Sequence, residues 1–436
     1  MSANLCVAIV GAGPAGYYTA EALTKGRDDV CVDIIDRLPT PYGLIRAGVA
    51  PDHQSIKNVI RRYEATNLQD NVHFVGNLAL GRDITLTELM SLYDAVILAT
   101  GAAKDRTLGI EGQDLDGVIG SASFVGWYNC HPDFTHLDPN LTIPAAAVIG
   151  NGNVAIDVAR ILAKTPKEMA HTDIAEHALH TLEKSTIKDI YILGRRGPLE
   201  GAFTPKELGE LNTLERCVAL VDANQLPCDD DLPDDLSGGK KKNLAALRAM
   251  SQNSPLDKPI RLHLKFYVRP MALIGAEHVT TMRLERTKVI DGKCIGTGET
   301  ETLDMGLVIP CIGYKTSPIQ DVPYNKSKGC FDNDEGYIRD NLYCVGWAKR
   351  GPTGTIGTNK PDGIAVAKRI LETIKPTGRL GRDGLDTLIS DRNVEIITFR
   401  DWKIIEAAEE AAAKNGGPRN KFSEIDDMVH AAHPEG

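Results

Sequence analysis

Gly11, Gly13 and Gly16 follow the apolar run Leu5–Val10 at the spacing of a GxGxxG turn, with Pro14 and Ala15 inside it. An apolar strand that ends in such a turn and opens a helix has the geometry to cradle a pyrophosphate. The first glycine allows the tight turn, the second lets backbone approach the phosphates, and the third lets the helix pack closely on the strand. The helix N-terminus then directs its partial positive charge at the phosphates. Asp36 lies twenty residues after Gly16, at the end of a second β-like run, Val32–Asp36, where a carboxylate accepts hydrogen bonds from a ribose. Asp33, the rival acid, sits mid-strand and reads as structural.

The pattern begins again 139 residues on, at Gly150, Gly152 and Ala155, after the strand-like Ala145–Ile149 and before a helix running through Ala163. Its second strand, Ile187–Leu193, ends in Gly194-Arg195-Arg196 with no acid. A carboxylate repels a ribose 2′-phosphate, whereas paired guanidiniums hold one by bidentate contacts. The first site therefore calls for a dinucleotide with a free 2′-hydroxyl, such as FAD, and the second for NADP(H). The interval from Ala155 to Arg195 is longer than usual, so residues Thr165–Ser185 are expected to loop out. Two nucleotide sites imply a relay in which hydride passes from NADPH to flavin N5. The cofactors carry that chemistry, and no dedicated acid–base residue is required.

These sites need two βαβ frameworks, and the rest of the chain supplies matching elements. A third apolar run, Tyr93–Ala99, leads into Thr100-Gly101. Asp222–Gly239 is acidic and turn-rich and reads as a surface loop; residues 261–309 alternate like an antiparallel meander, ending in a buried strand over Leu307–Ile312. Leu342–Trp347 reads as a strand before a glycine-rich loop and a helix from about Asp362, and Glu406–Lys414 as an Ala/Glu helix. The fold class is α/β, with two Rossmann-like dinucleotide-binding domains.

The chain has 436 residues, 42% hydrophobic, with a net charge of −10, enough for two or three domains with sizeable cores. Its nine cysteines include no CxxC or metal-type pair. That argues against a disulfide scaffold, a zinc site and a protein-held iron–sulfur cluster, and removes flavoenzymes that use a cysteine pair to reduce disulfides. The acidic balance argues against nucleic acid as a partner. No apolar run approaches the ~18 residues needed to cross a bilayer. Lys25 is the first basic residue, and Leu5–Val10 runs into glycines without a cleavage-like site, so a cytoplasmic chain starting near Met1 is expected.

The segment Leu38–His53, LPTPYGLIRAGVAPDH, resembles the adrenodoxin reductase family of NADPH–ferredoxin reductases. Phe124–Asn129, Gly150–Leu162, Gly194–Phe203 and Gly346–Thr358 agree, and the matches run in order over about residues 5–375. The resemblance implies a FAD domain split into about 1–104 and 315–436, the second part ending in a helical extension from about residue 379. The NADP domain, about 105–314, is inserted between the two parts. Carried over by position, it implies flavin contacts at Ala15, Asp36, Leu44, Leu80, Trp347, Gly354, Thr355 and Ile356. It implies NADP contacts at Asn151, Gly152, Asn153, Val154, Arg195, Arg196, Glu207 and Gly354. The family's usual ribose glutamate is here the shorter Asp36, which implies a longer or water-bridged contact, and Leu80 replaces a frequent valine.

His53 and Glu207 match positions of the nicotinamide–flavin region and are the catalytic candidates, in an assisting or orienting role. Local readings stand beside that role. Asp52 reads as an N-cap with His53 in the first helical turn, and Thr204–Glu207 as a capping box. In the family fold the helix near Asp362 aims its positive end at the flavin pyrimidine.

Family members pass single electrons to small, acidic iron–sulfur ferredoxins. The window Lys240–Arg269 contains Lys240, Lys241, Lys242, Arg248, Lys258, Arg261, Lys265 and Arg269 against Asp257 alone. Charge segregated in this way steers an acidic partner at a salt-dependent rate. Lys57, Arg61 and Arg62, read as one helix, extend the basic surface. Two rival readings remain: an NADPH-dependent flavin reductase or diaphorase acting on a small molecule, and a non-catalytic nucleotide-binding sensor.

Overall fold

The structure, a computed structural model, describes residues 4–414 and 416–434; Met1, the expected start, lies outside them. The chain divides into two units. The first comprises residues through Lys104, Asn129–Pro132 and the chain from Tyr314 onward; the second comprises Asp105–Tyr128 and Asp133–Gly313.

Leu5–Val10 is the central strand of a seven-stranded sheet in the first unit. Its run of apolar residues suits a strand covered on both faces. Leu5, Val7 and Ile9 enter one core, and Ala8 and Val10 the other. The strand order is Tyr337–Arg339, Leu342–Cys344, Ala95–Leu98, Leu5–Val10, Val30–Ile35, Val72–Gly76, Ile397–Thr398. The five inner strands run parallel and each edge strand is antiparallel. Helix Pro14–Gly26 follows the first strand, with Pro14 at a position whose missing N–H costs nothing. The helix packs on Asn359–Thr373, closely enough that a Cβ at Gly363 would lie 2.9 Å from the Thr19 nitrogen.

The C-terminal extension is part of this core. Ile397–Thr398 adds a strand to the sheet, and Trp402 and Ile405 are fully buried in the cluster around Leu5. Thr398 and Asp401 form a capping box that starts the helix at Phe399, earlier than its Ala/Glu composition predicts, and the helix ends at Ala411.

The second unit holds an all-parallel five-stranded sheet, ordered Leu307–Pro310, Ala145–Ile149, Asp189–Leu193, Ile260–Lys265, Cys217–Val221. The expected meander is therefore only partly one. Its ends belong to the parallel sheet, and Val268–Ile274, Thr281–Ile290 and Lys293–Asp304 make a separate antiparallel sheet. Residues Thr165–Ser185 do not loop out. They fold into helices Pro166–Met169, with a Thr165/Glu168 capping box, and Glu176–Glu183, because Met169, Ala178 and Leu182 have apolar surface to bury. Asp222–Gly239 is mostly short turns, and its end, capped by Ser237, opens helix Gly238–Met250. Among the described residues no helix is long and apolar enough to cross a membrane.

Candidate functional site

In the first unit the GxGxxG turn has the geometry its spacing calls for. Gly11 has φ +119°, and a Cβ there would lie 2.4 Å from the Ala99 carbonyl oxygen; one at Gly16 would lie 2.2 Å from the Gly11 oxygen. At Gly13 a Cβ would meet nothing within 4 Å. The outer glycines are thus jammed against the fold while the middle one opens onto free space, a cradle for a close-approaching phosphate.

Asp36 is half-buried behind this turn. One carboxylate oxygen accepts the Ala12 N–H at 2.8 Å and the other the Leu38 N–H at 3.0 Å. Burial pushes its carboxyl above the usual range, opposed by those two donors, the Arg37 charge and the Arg37 N–H. Ala12 in turn accepts the N–H of Tyr42 at 2.8 Å, which ties the turn to the segment carrying Leu44, 47% exposed. Asp33 donates nothing to this site; it is buried against Tyr93, whose hydroxyl it accepts at 2.7 Å.

The Gly346–Thr358 loop lies in the same unit. Trp347 is half-buried, stacks with Tyr314 at 6.0 Å between ring centres, and donates its indole N–H to the Thr353 carbonyl at 3.1 Å. Gly354 and Thr355 are exposed; Ile356 and Leu80 are half-buried. The following helix begins at Asn359, so Asp362 stands in its first turn rather than at its start. Asp362 accepts the Gly346 N–H at 2.7 Å and pairs with Lys349 at 2.8 Å and Arg350 at 3.3 Å. This clamp on the loop was not legible in the sequence, where Asp362 marked only a helix.

His53 is buried and occupies the N-cap position of helix Gln54–Lys57 without a side-chain cap; Asp52 is not the cap.

In the second unit the GxGxxA turn repeats the arrangement. Gly150 has φ +143° with a Cβ position 2.4 Å from the Cys311 oxygen, Ala155 is fully buried, and Gly152 opens onto free space. A Cβ at Gly194 would fall 1.8 Å from the Asn151 amide nitrogen, and the Asn151 carbonyl accepts the Ala202 N–H at 2.7 Å. Val154 is half-buried in the first turn of helix Asn153–Ala163. Arg195 and Arg196 are exposed, and their guanidiniums have no ion-pair or hydrogen-bond partner among the described residues.

The expected capping box at Thr204–Glu207 is not formed. The Thr204 N–H that Glu207 would need is donated to the Asn153 side chain at 2.9 Å, and Thr204 makes no side-chain cap. One Glu207 carboxylate oxygen is left buried without a partner. Such an orphan is costly unless a ligand satisfies it. Open cradles, free guanidiniums and an orphaned acceptor fit a pyrophosphate, a 2′-phosphate and a nucleotide N–H donor respectively.

The basic window is largely neutralised in place. Arg248 pairs with Asp229 at 2.7 Å, Arg261 with Asp189, Lys265 with Glu301 at 2.7 Å and Arg269 with Glu285 at 2.6 Å; Lys258 caps the Leu214 carbonyl. Lys240, Lys241 and Lys242 are exposed near the start of helix Gly238–Met250, with no ion pair among the described residues. Lys57 ends one helix, whereas Arg61 and Arg62 lie on the next, Ile60–Asn67, and Arg62 pairs with Glu21 at 2.7 Å.

A pyridine nucleotide-disulphide oxidoreductase family model matches residues 6–192. The NADPH:adrenodoxin oxidoreductase of Arabidopsis thaliana is 38% identical over 99% of this chain and 96% of its own length. The NADPH-ferredoxin reductase FprA of Mycobacterium leprae is 38% identical over 98% of each chain. Mycobacterium tuberculosis FprA, solved in complex with NADPH, superposes with a TM-score of 0.94 at 38% identity, covering 98% of this chain and 99% of that one. The chain belongs to the adrenodoxin reductase family of NADPH–ferredoxin reductases.

Proposed function

We propose that the protein is an NADPH:ferredoxin oxidoreductase, with FAD held by the first unit, NADP(H) by the second, and an acidic iron–sulfur ferredoxin as acceptor. One observation carries the reading: two similar cradles end in opposite charge, the Asp36 carboxylate in one and the unpartnered guanidiniums of Arg195 and Arg196 in the other. Full-length likeness to named NADPH–ferredoxin and NADPH:adrenodoxin reductases supports the acceptor class. Bound FAD supplies the conversion from two-electron nicotinamide chemistry to one-electron transfer.

On this reading Gly11, Gly13, Pro14, Ala15, Gly16, Asp36, Leu44, Leu80, Trp347, Gly354, Thr355 and Ile356 line the flavin. Asn151 to Val154, Arg195, Arg196, Glu207 and Gly354 hold the nicotinamide nucleotide. Glu207 offers its free oxygen as an acceptor that orients the nucleotide, and His53 is the second orienting group. The docking surface narrows to Lys240, Lys241 and Lys242, because Arg248, Lys258 and Arg261 are engaged within the fold. Nine free thiols support a reducing, cytoplasmic setting.

The purified protein is expected to be yellow, to bleach with NADPH in the absence of oxygen, and to reduce a ferredoxin faster than small acceptors in stopped flow. A colourless protein, or one NADPH does not bleach, refutes the cofactor assignment. Indifference to the iron–sulfur acceptor refutes the ferredoxin assignment and favours the diaphorase.

A further inference from the structure

Two residues of the antiparallel sheet, and Tyr267 just before its first strand, close on the loop Arg195–Gly197. Thr287 Oγ1 donates to the Arg195 carbonyl at 2.8 Å, and Cys294 Sγ donates to the same oxygen at 3.0 Å. The Tyr267 N–H donates to the Arg196 carbonyl at 3.2 Å, and the Thr287 N–H to the Tyr267 carbonyl at 2.8 Å. Tyr267 adopts the left-handed region at φ +54°, and its ring covers Gly197, where a Cβ would fall 2.2 Å from the tyrosine oxygen. Both lone pairs of the Arg195 carbonyl are therefore used, and two successive peptide planes are fixed.

Thr287 lies where the buried face of its strand switches. Along Thr281–Ile290, Met282 and Leu284 are buried on one face, and farther on Glu285 and Thr287 are buried on the other. At that point the opposite strand, Lys293–Asp304, carries the extra residues, since Glu285 pairs with Thr300 and Thr287 with Gly296. Glu285 accepts the Gly298 N–H at 3.1 Å, and Thr297 Oγ1 donates to the Arg286 carbonyl at 3.1 Å. Past the irregularity Thr287 is buried and Arg286 exposed. The irregular partner strand also carries Cys294, the second donor to the Arg195 carbonyl.

We propose that Thr287, with Cys294 and Tyr267, positions Arg195 and Arg196 for a ribose 2′-phosphate, so that the bulged sheet sets the preference for NADPH over NADH. The inference rests on the 2′-phosphate reading above. A long guanidinium on a free loop loses backbone and side-chain freedom when it binds; a backbone fixed beforehand leaves only the side-chain share to be lost. A ligand without the 2′-phosphate does not engage the guanidiniums and gains nothing from the brace.

Thr287→Val keeps the branched shape and removes the donor; with Cys294→Ala both side-chain donors are gone. Calorimetry on the flavin-loaded enzyme measures Kd for adenosine 2′,5′-bisphosphate and for 5′-AMP, beside KM for NADPH and NADH with ferricyanide. In the double variant the bisphosphate Kd and NADPH KM are expected to rise about five- to tenfold, the scale of one to two lost hydrogen bonds. The values for 5′-AMP and NADH, and kcat at saturating NADPH, stay within about twofold. Thr287→Ser restores the wild-type preference, and the single Cys294→Ala shows a smaller loss with the same selectivity. Unchanged bisphosphate binding in the double variant, or a loss shared equally by 5′-AMP, overturns the inference. A wild-type enzyme that binds the two nucleotides equally overturns the 2′-phosphate reading itself; a wild-type preference that survives in the double variant overturns the inference alone.

Discussion

The guanidinium of Arg46 and the carboxylate of Glu409, 363 residues apart in the chain, form a two-bond ion pair, with Nη1 to Oε2 at 2.8 Å and Nη2 to Oε1 as the second bond. Glu409 is wholly buried, and it also accepts the Phe422 N–H at 3.0 Å. Arg46 lies 5.2 Å over the Trp402 ring. The pair pins the segment after Leu44 to helix Phe399–Ala411. Glu409→Ala strands a buried cation and should cost about 3–5 kcal/mol, read by urea denaturation. The apolar pair Arg46→Met with Glu409→Leu should recover most of that. Equal loss in both variants would show that packing, rather than charge, holds the segment.

Asp36 fixes the first nucleotide turn through the N–H groups of Ala12 and Leu38. Asp36→Ala leaves both without their acceptor, at about 1–3 kcal/mol each if water does not replace it. Flavin content per protein should fall, and turnover should return when FAD is added. Full flavin occupancy in the variant would contradict the ribose assignment.

Reversing Lys240–Lys242 to glutamate should slow ferredoxin reduction about tenfold or more at low salt, with little difference at high salt and none in NADPH–ferricyanide turnover. Arg261→Glu should instead lower thermal stability, because Arg261 serves Asp189. If ferredoxin reduction survives the lysine reversal, docking lies elsewhere.

His433 approaches Glu395 at 2.9 Å and Asp401 at 3.5 Å, and the hydrogen bond to Glu395, with Asp401 adding to it, raises its pKa above 6.5. The folded chain therefore binds this proton more tightly than the unfolded one. The stabilisation is complete below pH 6.5 and is lost as pH climbs through the raised value. His433→Gln should flatten Tm across that interval; an unaltered pH profile would remove His433 as its source.

The glycine turns were legible because their demands are local: a jammed first glycine, an open second one and a buried third position all fall within six residues. What was not legible comes from partners distant in sequence. Thr204–Glu207 has the composition of a capping box, yet Asn153, 51 residues upstream, takes the N–H it needs. The basic window looked strongly charged because its counter-ions Asp189, Asp229, Glu285 and Glu301 lie outside it. The grip of Thr287 on Arg195 spans 92 residues, a separation no local pattern discloses.

The split of the first unit also sets an order of events during synthesis. When Gly313 leaves the ribosome, every segment of the second unit has been made. The first unit at that moment has Ala95–Leu98 as an open sheet edge, since its neighbour Leu342–Cys344 does not yet exist, and its core lacks Trp402. An exposed apolar edge strand invites pairing with other chains. Slow elongation or a premature stop between Gly313 and Phe399 therefore leaves one finished unit tethered to a half-sheet with an open apolar edge.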